Sequence, residues 1–84
     1  MTETQKTILQ ALYQLFNSNP NKGSGDKEIA EALKSDVREV RYQLQELSSQ
    51  NYISTVDASS SFDVGRILVR ELTPKGYMAV EGKL

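Results

Sequence analysis

The spacing of apolar residues changes once along the chain. Up to residue 47 they recur every three or four positions, as in amphipathic helices, whereas the later segments YISTV and RILVREL are rich in β-branched and aromatic residues, as in strands. Helices followed by strands predict an α+β fold. At 84 residues the chain is expected to form one domain, residues 1–84.

Two helices are predicted in the first part of the chain. The first lies in TQKTILQALYQLFNSN and stops at Pro20, and the polar segment NPNKGSGD follows as a loop with at most a residue or two of strand. The second lies in DKEIAEALK, where Asp26 and Glu28 suit the helix dipole. The inward-facing residues are Ile8, Leu9, Leu12, Leu15 and Phe16 in the first helix and Ile29, Ala30 and Leu33 in the second.

The third helix, residues 36–49, has the clearest start signal. Asp36 is a favourable N-cap, Glu39 three residues later completes an acidic capping box, and Ser35 is an alternative cap. Arg41 lies on the flank of this helix. The predicted core arc consists of Val37, Val40, Leu44 and Leu47, and the opposite face consists of Arg38, Glu39, Tyr42, Gln45, Glu46 and Ser49.

A long β-hairpin, about residues 52–72, is predicted after the helices. Its loop, DASSSFDVG, is rich in turn-forming residues. Strict alternation divides the apolar residues of the second strand between its two faces, so the register is left open. One face carries Ile67 and Val69, and the other carries Leu68 and Leu72.

A last helix of about two turns is predicted in TPKGYMAVEGK. Thr73 is suited to cap it, Pro74 to occupy its first position and Gly82 to end it.

The residue types present argue against catalysis. The chain has no histidine and no cysteine, so it lacks the commonest general base and the commonest zinc ligands. The serines at 59–61 have no histidine to activate them and are interpreted as part of a mobile loop. No enzymatic activity, metal or cofactor is expected.

Charge and hydropathy bear on location and partners. Ten Lys and Arg against eleven Asp and Glu give a net charge of −1, which disfavours strong nonspecific affinity for DNA. The N-terminal MTETQKTILQ is unlike a signal peptide, and no apolar stretch is long enough for a membrane span. A soluble, cytoplasmic protein is expected.

The order of these elements resembles a winged helix-turn-helix domain over about residues 5–81. The segment IAEALKSDVREVRYQLQELSSQNYI resembles the second and third helices and first wing strand of that superfamily. GRILVRELTPKGYMAV is similar to the second wing strand and following helix of bacterial regulators of the multiple-antibiotic-resistance type. Those regulators have additional long helices that make them dimers, and Ser35 stands where the superfamily often places an apolar residue.

The resemblance implies a DNA-binding regulator of transcription that places its third helix in the major groove and its wing on the minor groove or backbone of double-stranded DNA. Arg66 matches an arginine that reaches the minor groove in those regulators. The residues expected to contact DNA are Arg38, Arg41, Tyr42 and Gln45 on the helix and Arg66, Arg70 and Lys75 on or beside the wing. Alternatively, Arg38 and Arg41 pair with neighbours such as Glu39 or Glu46 on a solvated surface.

Two further partners remain open. Asp57 and Asp63 would repel phosphates, and Tyr42 among charges of both signs also suits a protein-interaction winged helix without DNA affinity. Phe62 is an exposed aromatic residue at the predicted loop tip, although the ASSSF segment is interpreted as flexible. A homodimer surface is predicted from the apolar residues Tyr13, Tyr77, Met78, Val80 and Leu84.

Overall fold

A computed structural model describes residues 2–18 and 24–82. The order of elements is the predicted one, and the fold is a winged helix-turn-helix. The elements are α1 (Glu3–Ser18), β1 (Ser24–Gly25), α2 (Asp26–Leu33), α3 (Val37–Ser49), β2 (Ile53–Asp57), β3 (Ile67–Leu72) and α4 (Pro74–Val80). Within the described residues, no helix is long and apolar enough to cross a membrane.

One hydrophobic core joins the helices to the sheet. Leu15, predicted to be inside, is 37% exposed because it lines an open groove between α1 and α2. The predicted stop at Pro20 lies outside the described residues. The core residues are Ile8, Leu9, Leu12, Phe16, Ile29, Ala30, Val40, Leu44, Leu47, Ile53, Val69 and Leu72.

The start of α3 is fixed by a side-chain cap. The Asp36 carboxylate accepts a hydrogen bond from the Arg38 backbone N–H at 2.7 Å, which confirms Asp36 as the cap. Glu39 does not complete the predicted box, because its carboxylate accepts from the Gln43 side chain at 2.9 Å. Gln43 in turn accepts from the buried Gln5 amide at 3.1 Å, so a polar contact that the sequence did not indicate joins α1 to α3.

The sheet resolves the open register of the hairpin. Its strand order is β1-β3-β2, with both pairings antiparallel. Ile53 pairs with Leu72 and Thr55 with Val69, so β3 has one residue more than β2 in this interval, and Arg70 is the extra residue of a β-bulge. The bulge inverts the alternation, which lets Val69 and Leu72 both face the core.

The last helix begins and ends as predicted. The Thr73 hydroxyl accepts a hydrogen bond from the Gly76 N–H at 3.1 Å, and Gly82, with φ of +73°, follows the last turn. Gly76 packs closely against the chain after α3, since a Cβ there would lie 2.1 Å from the Tyr52 carbonyl oxygen. This contact holds α4 beside the start of the wing.

Candidate nucleic-acid interface

The outward face of α3 carries an exposed polar stripe formed by Arg38, Tyr42 and Gln45, called the α3 stripe below. These positions are four and three residues apart, so their side chains lie along one side of the helix. All three are exposed, and Tyr42, at the centre, is 56% exposed. None of these side chains has a hydrogen-bond or ion-pair partner within residues 2–18 and 24–82.

The chemistry of the α3 stripe matches the groups on DNA. A guanidinium such as that of Arg38 donates to two acceptors of guanine or to a phosphate, and an amide such as that of Gln45 pairs with adenine. The helix that carries them has the width of the major groove. A groove of about 270 Å³ separates Gln45 from Thr55 and Ile67 of the wing. The stripe and the wing therefore flank a common surface.

A second group of charges lies where the wing meets the helices. We call Asp26, Lys27, Arg41, Asp63 and Arg66 the wing-base cluster. Its members come from α2, α3 and the loop between β2 and β3, and they are joined by five ion pairs with N–O distances up to 3.8 Å. Two of the arginines predicted to contact DNA belong to this cluster.

Arg41 is the centre of the wing-base cluster. Its Nε donates to the Asp26 carboxylate, its Nη2 donates to Asp63 Oδ1 at 2.9 Å, and its Nη1 donates to the Val64 carbonyl at 3.3 Å. The Arg41 side chain is 20% exposed. The hydrogen bond to Asp26, followed by that to Asp63, raises the pKa of Arg41 above its ordinary value. Neither Glu39 nor Glu46, the partners suggested by the sequence, is involved.

Arg66 turns back toward α2. Its Nη2 donates to Glu28 Oε1 at 3.2 Å, its Nη1 lies 3.5 Å from Asp26 Oδ1, and its side chain is 22% exposed. The backbone of Arg66 lies at the loop end of the hairpin, immediately before β3, but its side chain is held by two carboxylates of α2 and does not project from the wing tip.

Asp26 ties the cluster together from inside. Its side chain has no exposed surface, and it accepts from the Arg41 side chain, the Ile67 N–H at 3.3 Å and the Lys27 N–H at 2.7 Å. One carboxylate therefore links α2, α3 and β3. The sequence predicted only a favourable charge at the start of a helix, since these long-range partners lie 15 and 41 residues away.

Asp63 is neutralised by its neighbours rather than free to repel phosphates. It lies 2.7 Å from Lys27 Nζ and accepts from Arg41. The hydrogen bond from Lys27, together with that from Arg41, lowers the pKa of Asp63 below its ordinary value. Asp57 stays exposed, and hydrogen bonds from Ser59 lower its pKa. Of the two carboxylates expected to oppose DNA, Asp57 is the one that has no cationic partner within residues 2–18 and 24–82.

The loop at the wing tip contains a hydrogen-bonded turn in which the serine side chains take part. The Ser59 hydroxyl accepts from the Gly65 N–H at 2.9 Å. The Ser60 hydroxyl accepts from the Phe62 and Asp63 N–H groups at 3.3 and 3.1 Å. The serine hydroxyls thus replace backbone partners, as they commonly do in turns.

The two remaining candidates lie apart from the α3 stripe. Lys75 donates to the Gln50 carbonyl at 2.9 Å and lies 4.5 Å from the centroid of the Tyr52 ring, at the C-terminal end of α3. Arg70 is exposed on the bulge of β3 and has no hydrogen-bond or ion-pair partner in the described part of the chain. Of the seven residues predicted to contact DNA, the structure therefore brings together three in the α3 stripe.

Comparison with known proteins identifies the family of this chain. Residues 1–60 match the family described as winged helix-turn-helix transcription repressor, HrcA DNA-binding. The chain belongs to this family. Comparison with curated protein sequences finds no significant match.

Solved structures of a bacterial regulator share the fold of this winged-helix repressor family member. S. aureus MepR bound to ethidium bromide superposes with a TM-score of 0.73 at 25% identity, covering 99% of this chain and 54% of MepR. The S. aureus MepR–DNA complex superposes with a TM-score of 0.72 at 25% identity, with the same coverage. The resemblance to regulators of the multiple-antibiotic-resistance type is confirmed, and the chain spans about half the length of MepR.

Some residues of the predicted dimer surface make contacts within the fold of this chain. The Tyr13 and Tyr77 rings meet edge to face with centroids 5.9 Å apart, which packs α4 on α1. Tyr13 and Val80 also contact the core. Met78 is 40% exposed, and Leu84 lies outside the described residues.

Proposed function

We propose that the chain, residues 1–84, is a winged-helix domain that binds double-stranded DNA and regulates transcription, with α3 in the major groove. The observation that carries this proposal is the α3 stripe: Arg38, Tyr42 and Gln45 are exposed, aligned and, among the described residues, unpaired. Membership in a family of DNA-binding repressors and the fold shared with MepR, which is known in complex with DNA, support it.

The three side chains of the α3 stripe have separate roles in this proposal. Arg38 pairs with guanine or a phosphate, and Gln45 reads adenine, because these are the contacts that a guanidinium and an amide make best in the major groove. Tyr42 packs between them against the edge of the groove. Arg70 contributes a phosphate contact, whereas Lys75 stays with the end of α3.

The other two arginines support the interface instead of touching bases. Arg41 and Arg66 are held by carboxylates, and their ion pairs fix the wing against α3 and α2, respectively. A phosphate would compete with Asp26 and Asp63 at Arg41, and with Asp26 and Glu28 at Arg66. We therefore assign them to positioning the wing, a role that the resemblance alone did not suggest.

We propose a homodimer that presents two α3 stripes, with Tyr77 and Met78 at the contact. As a regulator of this kind, the domain acts in the cytoplasm and has no enzymatic activity. Sizing at high protein concentration tests the dimer, and a strictly monomeric species contradicts it.

Titration of the protein into a fluorescein-labelled mixed-sequence duplex at several salt concentrations tests DNA binding. Affinity is expected to fall steeply with salt, and Arg38→Ala is expected to reduce the salt slope by about one. Lys6→Ala is the matched control, because Lys6 is an exposed cation on α1 that pairs with Glu3 at 3.7 Å. Absence of binding by the unmodified protein at about 50 mM salt would refute the proposal.

A protein-binding winged helix is the second candidate. It is favoured by the exposure of Tyr42, at 56%, between Arg38 and the partly buried Glu46, since an aromatic anchor in a charged rim is typical of protein interfaces. Loss of partner capture by Tyr42→Ala, without any duplex binding by the parent protein, would favour this candidate.

A further inference from the structure

The wing tip lacks a free cation. Arg66, the expected minor-groove residue, and Arg41 are 22% and 20% exposed and are bound to carboxylates. Two large apolar side chains are strongly exposed at the tip, beside exposed serines: Phe62 is 99% exposed and Val64 is 77% exposed. Single exposed apolar residues are common, but two of them two positions apart at the end of one turn form a local patch.

The apolar tip is held in a fixed conformation. The Ser60 hydroxyl accepts from the Phe62 N–H, and the Ser60 N–H donates to the Asp63 carbonyl at 3.2 Å. These bonds set the direction of the backbone that carries Phe62. Because the turn is already formed, ordering it on contact with a ligand costs little conformational entropy.

The tip is also coupled to the recognition helix. Arg41 of α3 donates to the Val64 carbonyl at 3.3 Å and to the Asp63 carboxylate at 2.9 Å. The Asp63 charge, which lies in sequence between the two apolar residues, is therefore compensated by Arg41 and by Lys27. Consequently, a nearby phosphate backbone meets apolar side chains beside a neutralised Asp63, and Asp57 lies further back, at the end of β2.

We propose that Phe62 and Val64 form an apolar wedge that contacts the minor groove of the DNA bound by α3. Apolar side chains are used in this way by proteins that press against sugar edges or open a base step in the minor groove. The proposal rests on the proposed function and replaces the expected contact of Arg66 with one that depends on burial of apolar surface.

The wedge predicts a loss of affinity that is independent of salt. Phe62→Ala is expected to weaken binding to the mixed-sequence duplex about tenfold with an unchanged salt slope, because no phosphate contact is removed. Leu15→Ala is the control, since Leu15 is also partly exposed, at 37%, but lies on α1. A melting curve of each variant verifies that the fold is retained.

A duplex in which inosine replaces guanine tests whether the wedge contacts the minor groove. Inosine lacks the amino group that guanine places in the minor groove and leaves the major-groove acceptors in place. The parent protein should bind this duplex more tightly than the guanine duplex, and Phe62→Ala should lose most of that difference.

The outcomes separate the two proposals. If the parent binds and Arg38→Ala reduces the salt slope while Phe62→Ala binds like the parent, the wedge is refuted and the proposed function stands. If the parent binds no duplex at low salt, both are refuted. A tenfold loss in Phe62→Ala that disappears when inosine is present in the duplex also contradicts the predicted direction of the minor-groove effect.

Discussion

Two arginines on one helix, Arg38 and Arg41, have opposite environments in this protein. Arg38 lies in the α3 stripe, exposed and without a partner in the described residues, whereas Arg41, three positions later, is 20% exposed and donates to three acceptors. They are the same residue type, and both lie within the first five residues of α3. What separates them is a carboxylate, Asp26, placed by another helix on one flank of α3. An arginine is thus available to a ligand only where the fold leaves it without an acid.

The comparison also separates binding from stability. The α3 stripe contributes little to folding, because its side chains contact solvent. The wing-base cluster is partly desolvated, and breaking a pair there leaves a charge without compensation. Substitutions in the two regions should therefore affect different measurements, and the following experiments test this division.

The largest effect is expected at Asp26. Its substitution by alanine leaves Arg41 and Arg66 without their shared, fully buried acceptor, which should lower the free energy of unfolding by on the order of 3 kcal/mol. Urea denaturation measures this change. Asp57→Ala, at an exposed carboxylate of the wing, is the control and should change the midpoint little; equal midpoints for both variants would contradict the structural role of Asp26.

Substitutions of Arg38 and Arg41 should affect different measurements, DNA affinity for Arg38 and folding stability for Arg41. Arg38→Ala is expected to weaken duplex binding about tenfold, by loss of one good base or phosphate contact, while its urea midpoint stays that of the parent. Arg41→Ala is expected to lower the urea midpoint. If Arg41→Ala is as stable as the parent and only its DNA affinity falls, the distinction between the α3 stripe and the wing-base cluster is wrong.

Asp36 supports both the α3 stripe and the wing-base cluster, because it caps the helix that carries the stripe and Arg41. Asp36→Ala should lower the free energy of unfolding by about 1 kcal/mol, the usual contribution of an N-cap. Ser35→Ala separates the two capping alternatives: its hydroxyl donates to the Leu33 carbonyl, so its loss should matter less. If Ser35→Ala lowers the urea midpoint more than Asp36→Ala does, Ser35 and not Asp36 is the N-cap.

The smallest effect is the pH dependence contributed by Asp63. Its pKa is lower in the folded chain, chiefly through the hydrogen bond from Lys27, so the ionised carboxylate adds stability above the ordinary pKa of about 4. This contribution is lost as the pH falls through the lowered pKa. Asp63→Asn should therefore have a lower urea midpoint than the parent at neutral pH, and the difference should shrink near pH 3. A constant difference across this range would exclude an ionic role.

Most of the fold could be predicted from local patterns in the sequence. Helical spacing placed Ile8, Leu12, Leu44 and Leu47 in the core, and turn and cap residues placed the ends of α2, α3 and α4 within a residue or two. The same spacing identified the exposed stripe on α3. These predictions succeed because each depends on residues within one or two turns of each other, where backbone geometry fixes which side chains share a face.

The sequence by itself determined the order of the elements, the caps and the outward face of α3. Only the tertiary structure decided the bulge at Arg70, which turns Val69 and Leu72 to the same side, and the burial of Asp26 against Arg41. The physical reason is distance along the chain: a bulge is set by pairing with another strand, and the partners of Asp26 lie 15 and 41 residues away. Packing brings such residues together, and it thereby selects which arginine remains free to bind.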